Sequence, residues 1–250
     1  SIDTLIEASE TAKMVQDDAL LFDALSNVGS SFHRLGETEQ AMDYYDKALE
    51  ISERINDAKR KSNAISNIAL AYSNMGQIPK AVELFMQSLE LAKSVNNIRQ
   101  QIVILNNLGI AFQNLGNISE ALDKFQQVIS LAKEAGYRQF EASATGNVGL
   151  CEYRLGNMES AIVYYKQQLL MVRETGDRHG EGNALRNIGV AFAGMNKTET
   201  AIEYYLQSLM IAREIEDLAG EGTTYGNLGG AYRIMGEPFK ALEYYERRIE

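Results

Sequence analysis

Residues 104–129 read ILNNLGIAFQNLGNISEALDKFQQVI. Ile104, Leu105, Leu108 and Phe112 recur at helical spacing. Ala121, Leu122, Phe125, Val128 and Ile129 do so again, so the stretch predicts two amphipathic α-helices separated at Gly116. Asn107 within it belongs to a ladder of Asn27, Asn67, Asn107, Asn147, Asn187 and Asn227, spaced 40 residues apart without a slip. A spacing this regular means one helix-pair unit copied six times. Such units stack into a solenoid, because each buries its apolar face only against its neighbours.

Other columns keep the same phase. A small residue lies two positions after each asparagine (Gly29 and Ala69 in the first two units), and an alanine column runs from Ala41 to Ala241. Small side chains there let two helix backbones approach closely, and an aromatic column from Tyr45 to Tyr245 fills the space beside them. Between the helices stand Gly36, Gly76, Gly116, Gly156, Asn196 and Gly236. A residue just past a helix C-terminus often adopts a left-handed conformation, which glycine tolerates best and asparagine next best, so Asn196 fits the same cause. Pro79 and Pro238 fall in the first turn of a second helix, where a missing N–H is harmless. Apolar residues alternate over no long stretch, so no strand is expected. The fourth unit departs most: Glu152 stands where the others carry Phe32, Tyr72, Phe112, Phe192 and Tyr232. Tyr153 beside it is expected to take over the packing while Glu152 turns outward, the other reading being a local irregularity that shapes the groove.

The order Leu/Ile, Gly/Ala, aromatic, Gly, Ala, aromatic, Ala resembles the tetratricopeptide repeat over nearly the whole chain. That resemblance implies an all-α fold, a right-handed superhelix of antiparallel helix pairs. The period exceeds the family's usual length of about 34 residues. The longer form, with "NLG" or "NIG" in the first helix and Gly176-Asp177-Arg178 between units, is similar to Pins/LGN-type adaptors and to arrays in large bacterial signalling proteins. The expected organisation is a single solenoid segment over 1–250. Residues 1–15 form the second helix of a preceding repeat, and helix pairs follow at about 16–56, 57–96, 97–136, 137–176, 177–216 and 217–250. With no polar capping helix at either end, a segment cut from a longer array is expected.

Composition bounds the function. A net charge of −10 argues against nucleic acid as the main partner. One cysteine, Cys151, excludes an internal disulfide framework and points to a reducing, cytoplasmic setting. No apolar run reaches the length of about 18 residues that spans a bilayer. His33 and His179 lie in different units without ligand-spaced neighbours, so no metal is expected. Gly180-Glu181-Gly182 and the run from Gly226 to Gly230 follow no strand, and the first lacks the lysine of a phosphate loop. Asn117-Ile118-Ser119 and Asn196-Lys197-Thr198 match glycosylation acceptors by chance of composition. The segment is read as non-enzymatic and without a cofactor.

In tetratricopeptide proteins the first helix of each pair lines the inner wall. In this register the resemblance places there the asparagine column, the residues before it such as Arg186, and those three after it: Leu70, Ile110, Leu150 and Val190. An asparagine amide offers a donor and an acceptor, matching a peptide backbone without reading its sequence; the family resemblance implies such contacts. The same ladder also reads as hydrogen bonds that fix stacking between units. The aliphatic residues form either an exposed binding stripe or buried contacts with the next unit. Tyr153, Arg154, Arg186 and Arg233, with Arg34, complete the candidate wall, and the arginines favour an acidic peptide with apolar anchors. The lysine and second asparagine of the chaperone-type carboxylate clamp are absent: Ser26 and Ser30, then Ser66 and Leu70, occupy those places. The expected function is a protein-interaction scaffold holding a partner's peptide segment. Two alternatives stay open: a sensor or regulatory arm of a larger signalling protein, and a self-assembling array joined end to end.

Overall fold

The structure, a computed structural model, describes residues 2–247, with side chains from Thr4 onward. Ser1 of the expected first helix and residues 248–250 of the last expected pair lie outside the described residues. Thirteen helices and no strand occupy the described residues. Contacts divide the chain into two compact units, Ser1–Lys124 and Phe125–Glu250. The first holds α1 (Ile2–Met14), α2 (Asp18–Arg34), α3 (Thr38–Arg54), α4 (Ala58–Asn74), α5 (Ile78–Ser94) and α6 (Ile98–Asn114). The division falls within α7 (Ile118–Glu134). The second holds α8 (Arg138–Arg154), α9 (Met158–Thr175), α10 (Arg178–Gly194), α11 (Thr198–Glu214), α12 (Leu218–Ile234) and α13 (Pro238–Arg247).

Three-residue turns separate nearly all these helices, each with one left-handed residue. After first helices it is the predicted column, with φ of 80° at Gly36 and 59° at Asn196. The Gly36 amide donates to the His33 carbonyl at 3.1 Å, and the Glu37 amide to the Phe32 carbonyl at 3.0 Å. This paired closure satisfies carbonyls that the helix end leaves open. Second helices end the same way without a glycine column: Asn56 has φ 53° and Glu216 φ 57°. First helices then start on a side-chain cap. Asp17, Asp57, Asp177 and Asp217 accept from the amides of Leu20, Arg60, Gly180 and Gly220 at 2.8–3.0 Å. Such a cap stabilises a helix by ~1 kcal/mol.

Within a pair, the small-residue column meets the aromatic column as expected. A Cβ on Gly29 would lie 2.6 Å from Tyr45 Cε1 and 3.2 Å from the Ala41 carbonyl oxygen, so the helices can come this close only without a side chain. Tyr45, Phe85, Tyr165 and Tyr205 are at most 3% exposed. A second aromatic layer runs beside them. Phe32 stacks on Tyr44, Phe192 on Tyr204 and Tyr232 on Tyr244, with ring centroids 5.4–5.5 Å apart. The fourth pair breaks that layer. Tyr153 packs against the core formed by Tyr165, Leu185 and Ile188, while Glu152 turns to accept a 2.9 Å hydrogen bond from Asn157 Nδ2.

Within the first unit α1 to α6, and within the second α8 to α13, each helix packs on its neighbours in sequence, and first helices also touch one another: α2 on α4 and α4 on α6 in the first unit, α8 on α10 and α10 on α12 in the second. No such contact joins α3 to α5 in the first unit, or α9 to α11 and α11 to α13 in the second. Within each unit the first helices therefore crowd together and form the inner wall.

Candidate functional site

On α2, Asp23, Ser26, Asn27 and Ser30 share one helical face at spacings of three and four residues. Asn63, Ser66, Asn67 and Leu70 repeat that face on α4, and Gln100, Val103 and Asn107 continue it on α6. Together with Phe22 these side chains line a groove of about 590 Å³ in the first unit. The structure thus brings Asn27, Asn67, Asn107 and Leu70 to one site. Ile110, one turn beyond Asn107, is 40% exposed.

The groove is polar and incompletely satisfied. Ser26 Oγ and Asn63 Oδ1 are buried and have no hydrogen-bond partner. Buried polar atoms are nearly always paired in folded proteins, so each leaves a site for an incoming donor or acceptor. Ser30 Oγ is already engaged: it donates to the Ser26 carbonyl at 2.8 Å and lies 3.4 Å from the Tyr45 hydroxyl. The only ionisable side chain in the lining is Asp23. Arg60 sits beside it, with its guanidinium 3.4 Å from Asp23 and 2.8 Å from Asp57. Burial opposes ionisation of Asp57, but the amide and guanidinium of Arg60 outweigh it and hold the carboxyl below its ordinary range.

The candidate residues of the second unit lie on α8, α10 and α12. Asn147, Asn187 and Asn227 are half-buried on α8, α10 and α12. Leu150 and Val190 are half-buried too, and Val190 packs against the core around Tyr205 and Leu228, the buried alternative for that stripe. Arg186 lines a small recess with Asn183, His179 and Asp217, and donates to Asn183 Oδ1 at 2.7 Å. Burial lowers its pKa, and Asp217 partly offsets that effect. Arg154 and Arg233 are exposed near the ends of α8 and α12, and Arg34 is exposed at the end of α2, where it reaches Ser31.

Sequence reasoning missed Asp23, Asn63 and Val103. They form the column one helical turn before the asparagines, which continues as Ser143, Asn183 and Thr223 and so holds no constant residue. The groove position was available from the 3.6-residue period, but nothing invariant in the column draws attention to it. Among the described residues no group of three His, Cys, Asp or Glu side chains is placed to hold a metal ion. Cys151 is fully buried, and no described helix is long and apolar enough to cross a membrane.

The sequence model of the tetratricopeptide repeat matches residues 20–94, 60–134 and 140–214. No curated protein matches the sequence of the chain. Several solved structures share its fold. BtubC (BKLC) from P. vanneervenii is 18% identical with a TM-score of 0.77, covering 86% of this chain and 91% of its own. A signal-transduction ATPase with numerous domains and a tetratricopeptide repeat sensor, from Pyrococcus horikoshii, is 17% identical with a TM-score of 0.84. It covers 99% of this chain, which spans only 39% of that protein. A Rap protein complexed with competence and sporulation factor is 18% identical with a TM-score of 0.71, covering 99% of this chain and 78% of its own. The matched residues make up most of the sequence, and the helix pairs, left-handed turns and Gly–aromatic contacts are those the repeat requires: the chain belongs to the tetratricopeptide repeat family.

Proposed function

We propose that this chain is a non-catalytic interaction scaffold whose first helices bind an extended segment of a partner protein. The observation that carries this reading is the groove of the first unit. There Asn27, Asn67 and Asn107 converge from three helices beside two buried polar atoms without partners. An extended segment supplies backbone donors and acceptors along its whole length, and a row of amides meets them without regard to side chains. The 40-residue columns run unbroken from Asn27 to Asn227, so residues 1–250 act as one array in this reading, with Asn147, Asn187 and Asn227 extending the wall. The buried Cys151 suits a reducing cytoplasm.

A partner recovered by the wild-type chain should be lost by the Asn27→Ala, Asn67→Ala, Asn107→Ala triple variant. Each amide hydrogen bond contributes about 1 kcal/mol, so affinity should fall at least about tenfold. An affinity unchanged by the triple variant, with helicity and melting preserved, would remove the groove from the function.

The second reading is regulatory. The structure with a TM-score of 0.84 is a signalling ATPase in which the tetratricopeptide repeats are named as a sensor, and this chain spans 39% of it. In a larger protein the same groove would report a bound segment to an attached effector domain. An effector domain encoded in the same gene as this chain would favour the second reading over the first.

A further inference from the structure

The lining of the first unit's groove holds one carboxylate and no cation. Arg60 at its rim does not reverse that sign, because it is shared between Asp57 and Asp23 and the three groups sum to one negative charge. Asp57 holds the shorter contact, 2.8 Å against 3.4 Å. The Asp23 side chain remains 56% exposed and open to a second partner. An acidic segment would bring its charge to this carboxylate with no lysine or arginine in the lining to receive it. The net charge of −10 on the whole chain adds attraction for a basic ligand at longer range.

The apolar part of the groove lies elsewhere, at Leu70 on α4. First helices in contact stand about 9 Å apart. Asp23 and Leu70 also differ by seven positions in the repeat frame, or roughly 10 Å along the helix axis. The two features are then roughly 14 Å apart, which about four residues of extended chain span. Between them lie the amides of Asn27 and Asn67 and the unpartnered atoms Ser26 Oγ and Asn63 Oδ1. Asn63 Oδ1 is an acceptor, so it calls for a ligand N–H.

The geometry points to a specific ligand class: an extended, otherwise uncharged peptide segment with one lysine or arginine at Asp23 and an aliphatic side chain at Leu70, about four residues away. Acidic segments are turned away. This inference rests on the groove reading above and names the partner chemistry of that site.

The test is selection of random displayed nonapeptides on the full chain, on Asp23→Lys and on the triple asparagine variant, each checked for native melting. Selected peptides should carry one basic residue spaced from an aliphatic one. Their affinity should fall about threefold in Asp23→Asn, the size expected for a partly exposed ion pair. Asp23→Lys should select acidic peptides instead. Acidic or charge-indifferent peptides on the wild type, lost in the triple variant, would overturn the ligand class and leave the groove in place. Peptides that bind the triple variant undiminished, or no selected peptide at all, would overturn the groove reading itself.

Discussion

At Gly189 there is no room for a methyl group. A Cβ there would stand 2.6 Å from Tyr205 Cε1 and 3.1 Å from the Ala201 carbonyl oxygen, so Gly189→Ala must push two helices apart. Overpacking of this kind costs about 1–3 kcal/mol. At Gly230 the nearest atom to a Cβ is Tyr245 Oη, 3.9 Å away, and alanine in a helix interior is favoured over glycine. Gly230→Ala is therefore expected to raise stability by roughly 0.5–1 kcal/mol while Gly189→Ala lowers it, as urea melts of the two variants will show. The glycine, alanine and aromatic columns were legible because every unit needs the same close approach, so the requirement is written six times. Asp23, Asn63 and Val103 were not legible. Their column changes residue type along the chain, and a position that varies in this way leaves no periodic trace. The second stacking layer escaped for a related reason: its outer member is Tyr44, Tyr164, Tyr204 and Tyr244 in four units but Leu84 and Lys124 in the other two, and its inner member is Glu152 beside Tyr164.

Between elements, the second unit is fastened by ion pairs that the sequence pattern hid. Asp18 pairs with Arg54 in the first unit, and Arg138 with Glu174 and Arg178 with Glu214 in the second, each pair 36 residues apart. All three join the start of a first helix to the end of its partner, but the second-unit pairs reverse the charges. The pair Asp18–Arg54 agrees with both helix dipoles and the reversed pairs oppose them, so a search for one charge per column fails. Glu181 is the most enclosed member, with its side chain 8% exposed and its carboxylate bonded by Arg173 at 2.8 Å and by Arg178. Burial disfavours its ionised form, yet the two guanidiniums outweigh burial and hold its pKa below the ordinary 4.5. A depressed carboxyl stabilises the fold fully above its unfolded pKa and loses that contribution as pH falls through its folded one. Glu181→Gln should therefore melt below wild type at pH 7, and the gap should close as the pH falls below 4.5. The gap at pH 7 should be smaller than the ~3–5 kcal/mol of a fully buried pair. Arg173 and Arg178 are 50% and 37% exposed and keep water when their partner is removed. The turn glycines after first helices were legible as a column. The left-handed Gln16, Asn56, Asn96 and Glu216 were not, because different residue types share one backbone requirement and no single letter runs through them.

For the molecule as a whole, repetition explains both what the sequence discloses and what it withholds. Helix order and the inner wall follow from packing that recurs in each unit. The partner chemistry proposed above rests on a departure from the repeat, Asp23 on α2, whose setting appears only when the fold brings it into one groove with Asn63. The central claim is that the wall of first helices, and not the face of second helices, receives the partner. Its most direct test is a photo-crosslinking pair in the native cell. Gln100 lines the groove on α6, and Gln87 is exposed on α5. With p-benzoylphenylalanine at each in turn, the account predicts a partner captured from Gln100, lost when Asn27, Asn67 and Asn107 are alanine, and not captured from Gln87. Capture from Gln87 alone, or capture from Gln100 that survives the three alanines, would contradict it.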